Sequence, residues 1–209
     1  MLYDVIVSDP PWAFSDGLKK MKAKTKRSAR SQYNTMSSTE IAALDVKSIA
    51  NPEGCVLALW VPGTLLPDGL MVMQAWDFSY KQIAVWVKTK KDINKHLKKV
   101  QKDNKIVDLN DFMSFGMGRL FRQSHEIALI GTMGKVYSQL ENKSQRSVMF
   151  DVNKGHSSKP ELLQDRLDLM FPNAQRLEMF ARRTRPNWTC IGNAIDGKDI
   201  GQAIQDLML

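Results

Sequence analysis

The chain has 209 residues, 43% of them apolar and 25% charged, which is enough to close a hydrophobic core and excludes a disordered or collagen-like polymer. No apolar run reaches the roughly 18 residues of a spanning helix. The opening MLYDVIVSDPPW lacks a basic stretch ahead of an apolar one, so neither a membrane span nor a secretory leader is expected and a cytoplasmic location is. The formal charge of +8 points to an acidic partner.

In chain order, Tyr3-Asp4-Val5-Ile6-Val7 reads as a buried strand that must stop at Pro10-Pro11, because proline cannot donate to a sheet ladder. A basic polar loop follows to about Tyr33. Ser37-x-x-Glu40 is a capping box that opens a helix expected to run to about Ala50. Residues 56–61 read as a second strand, 65–76 as a helix containing Gly69, and 82–87 as a third strand. From 88 to 118 only 93–100 has helical character. Residues 126–130 and, more weakly, 147–152 read as strands. Ser158-x-x-Glu161 with Pro160 opens a helix carrying Leu163, Leu167 and Met170, residues 176–180 form a strand, and Ile200, Ala203, Ile204, Leu207 and Met208 mark a final amphipathic helix. Strands alternating with helices predict an α/β fold with a mostly parallel central sheet and helices on both faces.

The positive charge is concentrated. Residues 19–30 and 88–105 hold 15 of the 30 basic residues and only two acids, Asp92 and Asp103. The remainder of the chain is net acidic. Lys/Arg-rich loops of this kind suit a polyanion such as nucleic acid, although a solvated surface would look the same. Cys55 and Cys190 lie in apolar stretches and are expected to be reduced, buried and structural. His96, His125 and His156 have no metal-ligand spacing, so no metal is expected. No GxGxxG follows a strand, and no P-loop or GxSxG elbow is present.

Asp9-Pro10-Pro11-Trp12 is the chemically unusual feature, placed where an α/β sheet binds ligands, beyond the carboxyl end of a strand. An exocyclic amino group on a base is a poor nucleophile because its lone pair is delocalised into the ring. The Asp9 carboxylate can accept one amino hydrogen and the Pro10 carbonyl, held by the rigid diproline, the other, which favours a tetrahedral nitrogen and stabilises the cation formed on methylation. Trp12 offers an aromatic face for a base taken out of its stack. A strand-ending turn with a packed tryptophan is the structural alternative.

DPPW, QYNTMSSTEI, LALWV, VWVKT, HEIALIG, HSSKPE, EMFAR, RPNW and GNAIDG follow one another in an order that resembles the MT-A70-like adenine methyltransferases, over residues 4 to about 197. The resemblance implies a single Rossmann-like, S-adenosylmethionine-dependent methyltransferase domain over 1–209, with a permuted motif order and basic loops at about 13–33 and 88–118. It implies that Asp9, Pro10, Pro11 and Trp12 are catalytic and hold the target amino group, and that Trp12, Tyr33, Lys88 and Glu126 meet the substrate. Asp9, His156, Ser157, Lys159, Phe180, Arg182 and Asn193 are implied to contact S-adenosylmethionine. The segment that precedes the first strand in longer relatives is missing here, with Asp151 a candidate substitute, and Ala194 replaces the usual Gln or Glu.

The implied function is transfer of a methyl group to N(6) of adenine in DNA. An RNA adenosine methyltransferase, or a non-catalytic nucleic-acid-binding paralogue working with a partner, are the alternatives. A second copy or a partner subunit is compatible with the family, and no membrane partner is expected.

Overall fold

The computed structural model describes residues 1–14, 35–102, 108–116, 120–153 and 158–209. The strands form one seven-stranded sheet in the order β5-β3-β4-β2-β1-β6-β7. They are β1 (Val5–Ser8), β2 (Gly54–Val61), β3 (Ser79–Thr89), β4 (His125–Gly134), β5 (Val148–Val152), β6 (Arg176–Met179) and β7 (Thr189–Ile191). The pairs β1–β2, β1–β6, β6–β7 and β3–β5 are parallel. Helices α1 (Ser38–Ala42), α2 (Leu66–Ala75), α3 (Ile93–Lys102), α4 (Leu162–Met170), α5 (Asn193–Asp196) and α6 (Ile200–Met208) complete the elements. Among the described residues no helix is long and apolar enough to cross a membrane.

By contact density the chain divides into two compact units. The first comprises Met1–Gln82, Leu129–Gln139 and Asn173–Leu209, the second Ile83–Ala128 and Leu140–Pro172, so β3 and β4 contribute residues to both. In the first unit every residue of β1 and β2 is buried, as expected of parallel strands covered on both faces. The indole N–H of Trp76 donates to the Ile41 carbonyl at 3.1 Å, tying α2 to α1. Gly69 of α2 lies where a Cβ would meet the Val61 side chain at 2.6 Å, which explains a glycine inside a helix. In the second unit Trp86, Met149, Leu163 and Leu167 are buried, and the Trp86 indole donates to the Asp151 carbonyl at 3.1 Å.

β5 ends the sheet on one side. At its start and just before it the carbonyls alternate: Ser147 accepts from the Val85 amide, while those of Arg146 and Val148 both accept from the Arg166 guanidinium of α4.

Four sequence expectations change. The first helix ends at Ala42 instead of about Ala50, because Asp45 accepts from the Ser48 hydroxyl at 2.6 Å and the chain continues as a 3₁₀ turn over Lys47–Ile49. α4 starts at Leu162 and Ser158 does not cap it: Glu161 is the N-cap, with no side-chain bond. Pro160 disfavours helical backbone at the residue before it, so Lys159 lies outside the helix. β7 and α5 are additional elements. Finally, Cys55 is buried, but Cys190 is only partly so. Burial pushes both thiols above their ordinary value. The basic run 19–30 lies outside the described residues.

Candidate functional site

In the first unit the strand order reverses beside β1. The chain leaves β1 towards β2 on one side, and leaves β6, the other neighbour of β1, towards β7 on the far side. Such a reversal opens a crevice at the carboxyl ends of the two strands. Ser8 is in register with Met179, so Asp9 and Phe180 leave the sheet side by side at that point.

The tetrapeptide after β1 is fixed by its own backbone. Trp12 N–H donates to the Pro10 carbonyl at 2.9 Å, Met36 N–H to the Pro11 carbonyl at 2.8 Å, and Ala13 N–H to the Met36 carbonyl at 2.8 Å. The Pro11 carbonyl thus faces the 36–37 segment. The Pro10 carbonyl retains a second lone pair, since a carbonyl oxygen carries two. Asp9 is partly exposed. Trp12 is 5% exposed, and its indole N–H donates to the Trp60 carbonyl at the end of β2, at 2.9 Å. An indole donor has to find a partner when the ring is buried, and here that need pins the turn to the neighbouring strand. Replacing Trp12 by phenylalanine is expected to remove the bond that ties the turn to β2 and to cost about 0.5–1.5 kcal/mol, readable as a lower denaturant midpoint at unchanged slope.

Phe180 follows β6 with φ of 59°, and Gly192 follows β7 with φ of 153°. These two turns touch: the Ala181 amide donates to the Ile191 carbonyl at 2.9 Å, and a Cβ on Gly192 would come within 2.9 Å of the Ala181 backbone. Phe180 is partly buried, whereas Arg182 and Asn193 are exposed. Gly192→Ala is expected to force the two turns apart and to cost about 2–4 kcal/mol. A thermal-unfolding midpoint equal to that of the parent chain would show that the close approach is not needed.

In the second unit three predicted residues meet. Lys88 Nζ lies 2.5 Å from Glu126 Oε1 and Lys159 Nζ 3.3 Å from Glu126 Oε2, with side-chain exposures of 15%, 18% and 26% for Lys88, Lys159 and Glu126. Lys88 reaches this position from β3 with its ammonium 5.2 Å from the Trp86 ring centroid. Lys159 reaches it because it stands before Pro160 in non-helical backbone. Burial alone would raise the Glu126 pKa, but the charges of Lys159 and Lys88, with the hydrogen bonds they donate, outweigh it and hold the carboxyl below its ordinary value. Two ammonium groups thus flank one carboxylate in a mostly buried cluster.

The predicted residues therefore fall into two groups, one in each unit: Asp9 to Trp12 with Phe180, Arg182 and Asn193, and Lys88 with Glu126 and Lys159. Tyr33, His156 and Ser157 lie outside the described residues. Asp151, the candidate substitute acid, accepts through its carboxylate from the Val152 amide at 2.7 Å. Sequence reasoning missed the Trp60 carbonyl, since a main-chain acceptor has no signature in residue type.

A compound bearing a carboxylate, an ammonium and ribose hydroxyls needs cationic, anionic and neutral polar contacts. In the first unit Asp9 is of the anionic type and Arg182 with Asn193 of the polar type, and among the described residues the fully buried Ser8 hydroxyl, at the end of β1, has no hydrogen-bond partner. In the second unit Lys159 is of the cationic type. The residue types present fit such a group.

A family model described as MT-A70 matches residues 3–194. The chain is 26% identical over 200 residues to the type II methyltransferase M.MunI of Mycoplasma sp., covering 89% of this chain and 75% of that protein. It is 25% identical over 203 residues to the human N(6)-adenine-specific methyltransferase METTL4, covering 92% of this chain and 37% of the relative. It is also 22% identical over 197 residues to human METTL3, an N(6)-adenosine-methyltransferase catalytic subunit, at 93% and 28% coverage. The chain thus spans three quarters of the first relative and little more than a third, or less, of the human two.

Proposed function

The chain belongs to the MT-A70 family, whose methyltransferases use S-adenosylmethionine, and from that premise we propose that it methylates the exocyclic N(6) amino group of adenine in DNA. The observation that carries the reading is the position of Asp9-Pro10-Pro11-Trp12 at the carboxyl end of β1, where the strand order reverses. The names of the relatives support an adenine-directed enzyme. DNA is favoured over RNA because identity to the type II methyltransferase, 26% over 200 residues, exceeds that to the relative named for adenosine, 22% over 197.

S-adenosylmethionine supplies an activated methyl group. The Asp9 carboxylate accepts one hydrogen of the adenine amino group and faces the positive charge that develops on its nitrogen, and the Pro10 carbonyl accepts the second hydrogen through its remaining lone pair. Both acceptors are fixed before the base arrives, by the diproline and by the Trp12 indole on Trp60. Trp12 is thus a positioning residue as much as a contact. By the family motif, Lys159 would hold the cofactor carboxylate, Arg182, Phe180 and Asn193 its nucleoside, and Lys88 and Glu126 would serve the target base. His156 and Ser157 are assigned to the cofactor and Tyr33 to the base through the family motif alone.

The test incubates the purified chain with labelled S-adenosylmethionine and separate pools of double-stranded DNA, single-stranded DNA and RNA, followed by nucleoside mass spectrometry. N(6)-methyladenine in a DNA pool is the expected product. Methylation confined to RNA would move the substrate class, and S-adenosylmethionine binding without product in any pool would favour a partner-dependent or non-catalytic role.

A further inference from the structure

Lys88 holds more than Glu126. Its main-chain N–H donates to the Ser124 carbonyl and its carbonyl accepts from the Ser114 N–H, both at 2.8 Å. One residue of the charged cluster therefore holds Ser114 and Ser124 on either side of its backbone. Beside them, the Gly116 N–H donates to the Gln123 carbonyl at 2.9 Å in an antiparallel bridge. Ser114, Gly116, Gln123 and Ser124 are thus fastened at Lys88.

The described residues next to these anchors expose apolar side chains. Leu120 is 96% exposed, Phe121 87% and Phe115 62%, with the Arg122 guanidinium 6.0 Å from the Phe115 ring centroid. Leaving three large apolar side chains in water is unfavourable unless a partner covers them. The surrounding charge indicates which partner. Residues 88–124 contain ten basic and four acidic residues, and α3 exposes Lys95, Lys98, Lys99 and Lys102. Protein interfaces are depleted of charge at their cores, whereas nucleic-acid interfaces are strongly cationic.

We propose that Leu120 and Phe121 form a wedge that enters a nucleic-acid duplex and holds open the gap left when the target base leaves the stack, with Arg122 on the adjoining phosphate. The proposal rests on the adenine-methylation reading. A base whose amino group is methylated has to leave the duplex, and apolar side chains inserted at a base step compensate for the lost stacking. Because the wedge stands on Lys88, insertion and contact with the extruded base are mechanically linked through one residue.

The test uses a random-sequence DNA duplex in which 2-aminopurine replaces adenine in one strand, since this base is dark when stacked and fluorescent when unstacked. The parent chain is expected to brighten the duplex on binding. The double substitution Leu120→Ser with Phe121→Ser is expected to abolish most of that rise while duplex affinity stays within about threefold and its salt dependence is unchanged, because the phosphate contacts remain. Equal brightening by the double variant, or no brightening by the parent chain, would overturn the wedge. So would a change in sedimentation of the free protein on substitution, which would make the tip a contact between protein chains. Brightening does not require turnover, so an inactive but brightening protein would sink the methylation reading and leave the wedge standing.

Discussion

Asp9→Asn is expected to slow methyl transfer by about 10²–10³-fold, equivalent to about 2.7–4 kcal/mol of lost transition-state stabilisation. The amide is nearly isosteric, and its oxygen still accepts a hydrogen bond from the adenine amino group. What disappears is the negative charge opposite a nitrogen that becomes positive as the reaction proceeds. An effect on the transition state alone lowers kcat and kcat/KM together. The turn itself is held by the Trp12 indole, the Pro10 carbonyl and the Met36 backbone, none of which the substitution touches. The backbone bonds of the turn should therefore persist, and S-adenosylmethionine affinity should change by no more than severalfold. Single-turnover rates beside equilibrium cofactor titrations separate these quantities. A variant that retains more than about a tenth of the parent rate would remove Asp9 from the reaction.

Glu126→Gln should act on stability and activity together. The carboxylate lies between two ammonium groups at 2.5 and 3.3 Å, and the three side chains are only 15–26% exposed. Neutralising it leaves two like charges facing each other with one weaker acceptor between them. A fully buried ion pair broken in this way costs about 3–5 kcal/mol, and the residual solvent access here reduces the expectation to about 1–3 kcal/mol. The pH dependence identifies the cause. The folded-state pKa of Glu126 lies below its unfolded value, so the carboxylate's contribution is fully present above the unfolded value of about 4.3 and is lost as pH falls through the lower folded value. The parent chain should thus be more stable than the variant by a constant amount from neutral pH to about 5, and the gap should close only in more acid solution. Unfolding midpoints of both proteins across that range provide the measurement. A gap that already closed between pH 7 and 6 would point to another titrating group.

The sequence shows its regular elements wherever one physical signal is uncontested. Ser37 and Glu40 form the reciprocal capping box that their spacing implies, with Glu40 accepting from the Ser37 amide at 2.7 Å. The apolar spacing of Ile200, Ala203 and Ile204 marks the buried side of α6. β1 begins two residues after the expected start and ends where the prolines require. β7 escapes notice because three residues are too few to display alternation, and its neighbour α5 has only four. The helix after Lys159 is legible but its start is not, since Ser158-x-x-Glu161 has the letters of a cap while Pro160 dictates a later beginning. The site is legible in the same uneven way. Asp9 to Trp12 stand out by composition, but the meeting of Lys88, Glu126 and Lys159 depends on two strands, β3 and β4, and a loop bringing together residues 71 positions apart.

The guanidinium of Arg166 on the outer carbonyls of Arg146 and Val148 has a bearing on how this protein behaves in a crowded solution. A terminal strand with open acceptors invites a strand from another molecule to extend the sheet, and β5 would be tempting because Val148 and Phe150 leave apolar surface exposed beside it. Occupying two successive outward acceptors with one cationic side chain interrupts the ladder that a recruited strand would need, and places a positive charge where it would have to dock. Resistance to edge-to-edge aggregation is thereby vested in a single arginine side chain.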